Sequence, residues 1–242
     1  MIKTEYAVLT NAGGRGINED TVLAIPSSLG LVVTVADGLG GHGGGSTASR
    51  AAAAAVSDCF GRGICRTGEG IVSAVYMANQ AVLDGQTEAC AMKTTLVSLF
   101  VEGDQAVWAH VGDSRLYHFR DGRLVERTLD HSVPQLAVLM GMITEDQIRF
   151  HEDRNRVLRA LGSDSFEPDI SEPVSLADGF HAFLLCTDGF WEYVLEQEME
   201  ETLADSPDPR QWILKMEALL QERAPGDQDN YTAACVFSIG EK

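Results

Sequence analysis

The chain has 242 residues, 45% of them hydrophobic, and sets 36 acidic residues against 18 basic ones for a net charge of −18. That length can bury one large core, and the acidic balance argues against nucleic acid or an anionic membrane as a partner, since both need a basic surface. The five cysteines form no C-x-x-C pair and read as reduced thiols. No apolar run nears the roughly 20 residues of a membrane span, and MIKTEYAV lacks a signal-peptide pattern, so a cytoplasmic protein is expected.

In chain order, EYAVLT, DTVLAI and LGLVVTVA read as strands. The Gly-rich loop ADGLGGHGGG leads into a helix over Ser46–Phe60, with Ser46 or Thr47 as its N-cap. A second helix over Glu69–Leu83 stops at Gly85. Residues 94–127 read as an antiparallel meander with turns at EGDQ and RDGR. From Asp130 to Asp164 short helical patterns (VPQLAVLMG, TEDQIRF, RNRVLRALG) alternate with polar connectors. PDISEPVSL and FHAFLLCTD read as strands, DPRQWILKMEALLQERA as a helix, and YTAACVFSI as the last strand. With no repeat or linker, a single domain over 1–242 is expected. Strands interleaved with helices, without β-α-β alternation, predict an α+β fold of antiparallel sheets covered by helices.

Four aspartates lie where apolar strands meet turns: Asp37, Asp113 and Asp188 at strand ends, and Asp229 at the start of the last strand. Antiparallel neighbours bring one strand's end beside the next one's start, so all four can meet at one sheet edge. Clustered carboxylates repel and raise their own pKa values. Two Mg²⁺ or Mn²⁺ ions would relieve that strain and also activate a water and neutralise a phosphoryl oxygen. Arg15 in GGRGINED would add fork-shaped phosphate recognition. Asp121-Gly122 and Asp178-Gly179 read as plain turns.

Five ordered segments carry a family likeness: Arg15 to Asp20 (R-x-x-x-E-D), Asp37 to His42 (D-G-x-G-G-H), Thr94-Thr95 with Gly112 to Arg115 (G-D-S-R), Thr187 to Gly189 (T-D-G) and Asp229-Asn230. With them the chain resembles the metal-dependent serine/threonine phosphatases (PPM, or type 2C), particularly the compact bacterial members. The resemblance implies a four-layer α-β-β-α sandwich of two antiparallel sheets flanked by helices, with a small helical flap over about 130–165. It implies two Mn²⁺ or Mg²⁺ ions in a cleft at one sandwich edge. By position, Asp37 would bridge both ions, the Gly38 carbonyl would bind the second, and Asp188 and Asp229 would hold the first. Glu19 or Asp20 would act through waters, Asp113 would share a third, weaker ion with Asp188, and Arg15 would bind phosphate. Leu39 stands where many eukaryotic members place a His, so His42 is either a catalytic acid or a support for its loop.

The resemblance further implies phosphorylated proteins as substrates and a cognate Ser/Thr kinase as partner, possible opponents including one governing type VI secretion. A monomer is expected. Three other readings are weaker. An esterase with Ser114 as nucleophile lacks the late D-x-x-H that would supply its base. A nucleotide cradle at the Gly-rich loop lacks G-K-[ST]. A non-catalytic phospho-binding module would be expected to have lost a metal aspartate.

Overall fold

The structure, a computed structural model, describes residues 2–28, 30–39, 44–88, 90–164 and 166–240. One five-stranded sheet runs β1 (Ile2–Asn11), β13 (Tyr231–Gly240), β12 (Phe180–Cys186), β8 (Arg115–Arg120), β9 (Arg123–Arg127). The other runs β10 (Asp169–Ile170), β7 (Gln105–Val111), β6 (Leu96–Glu102), β3 (Gly30–Ala36), β2 (Thr21–Ser27), with β11 (Val174–Ser175) also on β7. β4 (Gly38–Leu39) and β5 (Lys93–Thr94) pair separately, and every pairing is antiparallel.

Alternation along the strands builds the layers. Leu31, Val33 and Val35 of β3 face Phe183, Leu185, Ala234 and Val236 between the sheets. Val32 and Ala36 turn the other way, under α1 (Gly44–Gly61) and α2 (Gly68–Asp84). On the far side Leu184, Cys186, Cys235 and Phe237 pack against α4 (Asp188–Trp191), α5 (Glu196–Ala204) and α6 (Pro209–Arg223). The order is therefore helix, sheet, sheet, helix, as expected. Among the described residues no helix is long and apolar enough to cross a membrane.

Local chemistry moves several boundaries. α1 begins at Gly44, so Ser46 and Thr47 lie inside its first turn rather than capping it. Thr67 caps α2 by accepting from the Gly70 N–H. Gly85 ends α2 in a right-handed conformation, with the Met92 methyl packed where a Cβ would lie. The β8–β9 turn puts Asp121 and Gly122 at φ 51° and 81°, the doubly left-handed turn that matches strand twist.

In the flap, VPQLAVL is helical as α3 (Val133–Leu139), capped by Ser132, and Glu145–Phe150 is a 3₁₀ segment. RNRVLRALG is not a helix. Its backbone is committed elsewhere, with Val157 bridged to Ser132 and Leu161 exchanging both hydrogen bonds with Thr94. PDISEPVSL is likewise not one strand but β10 and β11, separated at Ser171–Pro173 where the Ser171 hydroxyl takes the Trp108 N–H. Residues 196–204 form α5 although only Met199 and Leu203 are buried in it, an apolar signal too sparse to read.

Candidate active site

The antiparallel registers bring the predicted aspartates together. Cys186 at the end of β12 pairs with Ala233 near the start of β13, and Leu96 pairs with Val111 at the end of β7. Asp37, Gly38, Asp113, Asp188 and Asp229 consequently line one cleft of about 590 Å³ with Arg15, Glu19, Ile17, Leu39, Asn155, Val157 and Asn230. Asp20 does not line it; it lies behind, where its Oδ2 accepts from Thr187 Oγ1 at 2.9 Å. His42 lies outside the described residues.

The Asp37 peptide is held by neighbouring hydroxyls and backbone, and the Asp188 and Asp229 carboxylates accept from the next residue's N–H. The Asp37 N–H donates to Thr95 Oγ1 (2.9 Å), and its carbonyl accepts from the Thr94 hydroxyl (2.7 Å) and the Thr95 N–H (2.9 Å). Thr95 Oγ1 also bonds Ser114 Oγ at 2.7 Å. Ser114 therefore has a threonine rather than a histidine beside it and supports the Asp37 and Asp113 turns. Arg115 makes a buried two-pronged pair with Asp130 (2.8 and 2.7 Å). Gly38 is required by crowding, since a Cβ there would meet the Gly45 backbone at 2.3 Å and the Glu19 carbonyl at 2.5 Å. Asn230, quoted in a motif without a role, is a fastener: its Oδ1 accepts from the Glu19 N–H and its Nδ2 donates to the Ala12 and Ile17 carbonyls.

Among the described residues the cleft is short of positive charge, and Arg15 is the single basic one lining it, 3.0 Å from Asp229. Burial, with Asp20, Asp188, Asp113 and Asp229 nearby, pushes the Asp37 carboxyl well above the usual range. Burial and then Asp188 and Asp130 do the same to Asp113. Burial and then Asp229 raise Asp188 to about 6. Asp20 is raised to about 7, mainly by burial, against hydrogen bonds from Thr232 and Thr187 that favour its charge. An oxygen-only donor set strained in this way fits hard divalent cations.

Two other features do not compete. A cleft of about 710 Å³ between β9 and α5 holds Arg115, Arg127 and Arg149, but each already has a carboxylate partner in Asp130, Glu145 or Glu196. His110, His131 and Asp169 lie close enough to hold an ion. The two imidazoles are stacked at 16°, however, so their in-plane lone pairs run side by side and cannot converge on one metal at about 2.0–2.1 Å.

Facing antiparallel sheets, outer helices and a carboxylate cleft at one edge are an architecture the chain shares with solved serine/threonine phosphatases. The catalytic domain of serine threonine protein phosphatase PstP, solved in complex with two manganese ions, matches with a TM-score of 0.83 at 28% identity, over 99% of this chain and 100% of that one. PppA, described as a key regulatory component of T6SS in Pseudomonas aeruginosa, matches with a TM-score of 0.78 at 28% identity, over 96% of both. Serine/threonine protein phosphatase PstP of Mycobacterium tuberculosis is 32% identical over 203 residues, which is 82% of this chain and 38% of that protein. The chain thus spans well under half of that relative. A protein phosphatase 2C family model matches residues 15–224, and the chain belongs to that family.

Proposed function

We propose that the chain is a metal-dependent phosphoprotein phosphatase that hydrolyses phosphoserine and phosphothreonine. The observation that carries this reading is the gathering of Asp37, Asp113, Asp188, Asp229 and Glu19 around a single arginine in one cleft. Asp37, the Gly38 carbonyl, Asp188 and Asp229 would hold two Mn²⁺ or Mg²⁺ ions, Glu19 and Asp20 would act through bound waters, and Asp113 would hold a third, weaker ion. When bound, the ions supply charge neutralisation at the phosphoryl oxygens and lower the pKa of an attacking water.

Arg15 presents a planar fork at the mouth of the cleft, suited to two oxygens of a phosphate monoester. Thr94 and Thr95 fix the Asp37 peptide, and Asn230 fixes the loop that carries Arg15 and Glu19, so the site is preorganised by backbone bonds. Hydrolysis transfers the phosphoryl group to water, restoring the protein's serine or threonine hydroxyl and releasing inorganic phosphate. Cys186 and Cys235 are buried with thiol pKa values pushed above their ordinary range, which removes them as nucleophiles.

Phosphorylated proteins and a cognate Ser/Thr kinase are the proposed partners, and likeness to PppA supports a secretion-linked kinase as one candidate. A monomeric, cytoplasmic enzyme is the reading consistent with this. The test is hydrolysis of a phosphothreonine peptide with Mn²⁺ and with chelator. Phosphate release in Mn²⁺ alone supports the proposal, and full activity in chelator sinks it.

A further inference from the structure

Gly112, which precedes Asp113, has φ +105°, a conformation that glycine adopts readily because it has no Cβ. One residue grips it twice. The His131 backbone N–H donates to the Gly112 carbonyl at 2.9 Å, and the Gly112 N–H donates to His131 Nδ1 at 3.1 Å. Nδ1 is thereby the acceptor, so Nε2 carries the proton and faces Asp169 Oδ2 at 3.2 Å. On the other side of the turn the Trp191 indole N–H donates to the Asp113 carbonyl at 3.0 Å, with the Arg115 guanidinium 3.5 Å from its ring centroid. Asp113 is thus clamped before and behind.

His131 also reaches the flap. Its carbonyl accepts from the Leu158 N–H at 2.7 Å, one residue beyond Val157, which lines the cleft.

We infer that His131 is a positioning residue: it fixes the Gly112–Asp113 peptide so that the Asp113 carboxylate is presented to the weakest of the ions, and it ties the flap wall at 157–158 to that carboxylate. The inference rests on the reading that Asp113 holds an ion. The ring's two hydrogen bonds can be separated by substitution. In His131→Asn the amide oxygen reaches the Nδ1 position and keeps the Gly112 bond. In His131→Gln the amide reaches the Nε2 position and keeps the Asp169 bond only.

The experiment is calorimetric titration of Mn²⁺ into the full chain as wild type, Asp113→Asn, His131→Asn and His131→Gln, with thermal melts of each. Wild type shows a binding event weaker than the first two, and Asp113→Asn loses it. His131→Gln weakens that event about tenfold, the equivalent of one hydrogen bond, with the tighter events unchanged, and His131→Asn restores it. If Asp113→Asn loses the weak event while His131→Gln keeps it, the His131 inference is overturned and the Asp113 reading stands. If Asp113→Asn keeps the event, or wild type never shows one, the Asp113 reading itself falls and takes the inference with it. A His131→Gln chain that melts earlier but binds every ion as wild type has lost only structure, and that also overturns the inference. So does failure of both variants to fold.

Discussion

Arg15 Nη2 lies 3.0 Å from Asp229 Oδ2, joining the first loop to the loop before the last strand across 214 residues of chain. Both side chains are about half exposed, so the pair adds at most about 1 kcal/mol to stability and its importance is placement. Arg15→Ala is expected to leave the melting temperature nearly unchanged. It should lower kcat/KM on a phosphothreonine peptide by about 10²–10³, the usual cost of losing one donor to developing charge. Steady-state kinetics beside a thermal melt checks both halves, and an unchanged kcat/KM removes Arg15 from the site.

Asn230 makes three hydrogen bonds to the 12–19 loop from a buried position. Replacing it with Ala strands the Glu19 N–H and two carbonyls, so a loss of about 1–3 kcal/mol is expected. Because the freed loop carries Arg15 and Glu19, KM for phosphopeptide should rise as well. Asn230→Asp keeps the acceptor but sets a carboxylate oxygen against the Ala12 and Ile17 carbonyls, and should cost at least as much as Ala. Denaturant unfolding and kinetics on the same samples decide this.

Much of this site could be read in the sequence because strand-end aspartates are local signals: LVVTVAD, VWAHVGD and FLLCTD each announce an apolar strand and the carboxylate beyond it. What brings the four together is antiparallel register, a simple consequence of the strand order. The supports were harder. Asn230 and His131 act through backbone atoms of distant loops, and nothing in their own neighbourhoods marks those partners. RNRVLRALG has helical spacing, but tertiary bridges to Ser132 and Thr94 override it. α5 leaves no clear apolar pattern because its buried face is only Met199 and Leu203.

His110, beside His131 and Asp169, gives the fold an acid-sensitive point outside the cleft. Burial, and then the neighbouring His131, hold its pKa down at about 4. The unfolded chain binds a proton near pH 6.5 that the folded one refuses, so this contribution to stability is complete above pH 6.5 and lost as pH falls towards 4. The full effect is about 3 kcal/mol at most. His110→Gln retains a donor for the Leu129 carbonyl, which His110 Nε2 contacts at 2.8 Å, and its melting temperature relative to wild type should rise as pH falls from 6.5 to 4. A slope identical to wild type would contradict the assignment.

Asp37 sits at the centre of the account, facing Asp20, Asp188, Asp113 and Asp229, with its peptide fixed by Thr94 and Thr95. The most direct test is the rate of phosphothreonine-peptide hydrolysis by Asp37→Asn against wild type in saturating Mn²⁺. Asn preserves the shape and the backbone bonds while removing the charge, so the fold should persist and the rate should drop by at least about 10³. An Asp37→Asn chain that hydrolyses the peptide at the wild-type rate would contradict the claim that these carboxylates form a metal-dependent phosphatase centre.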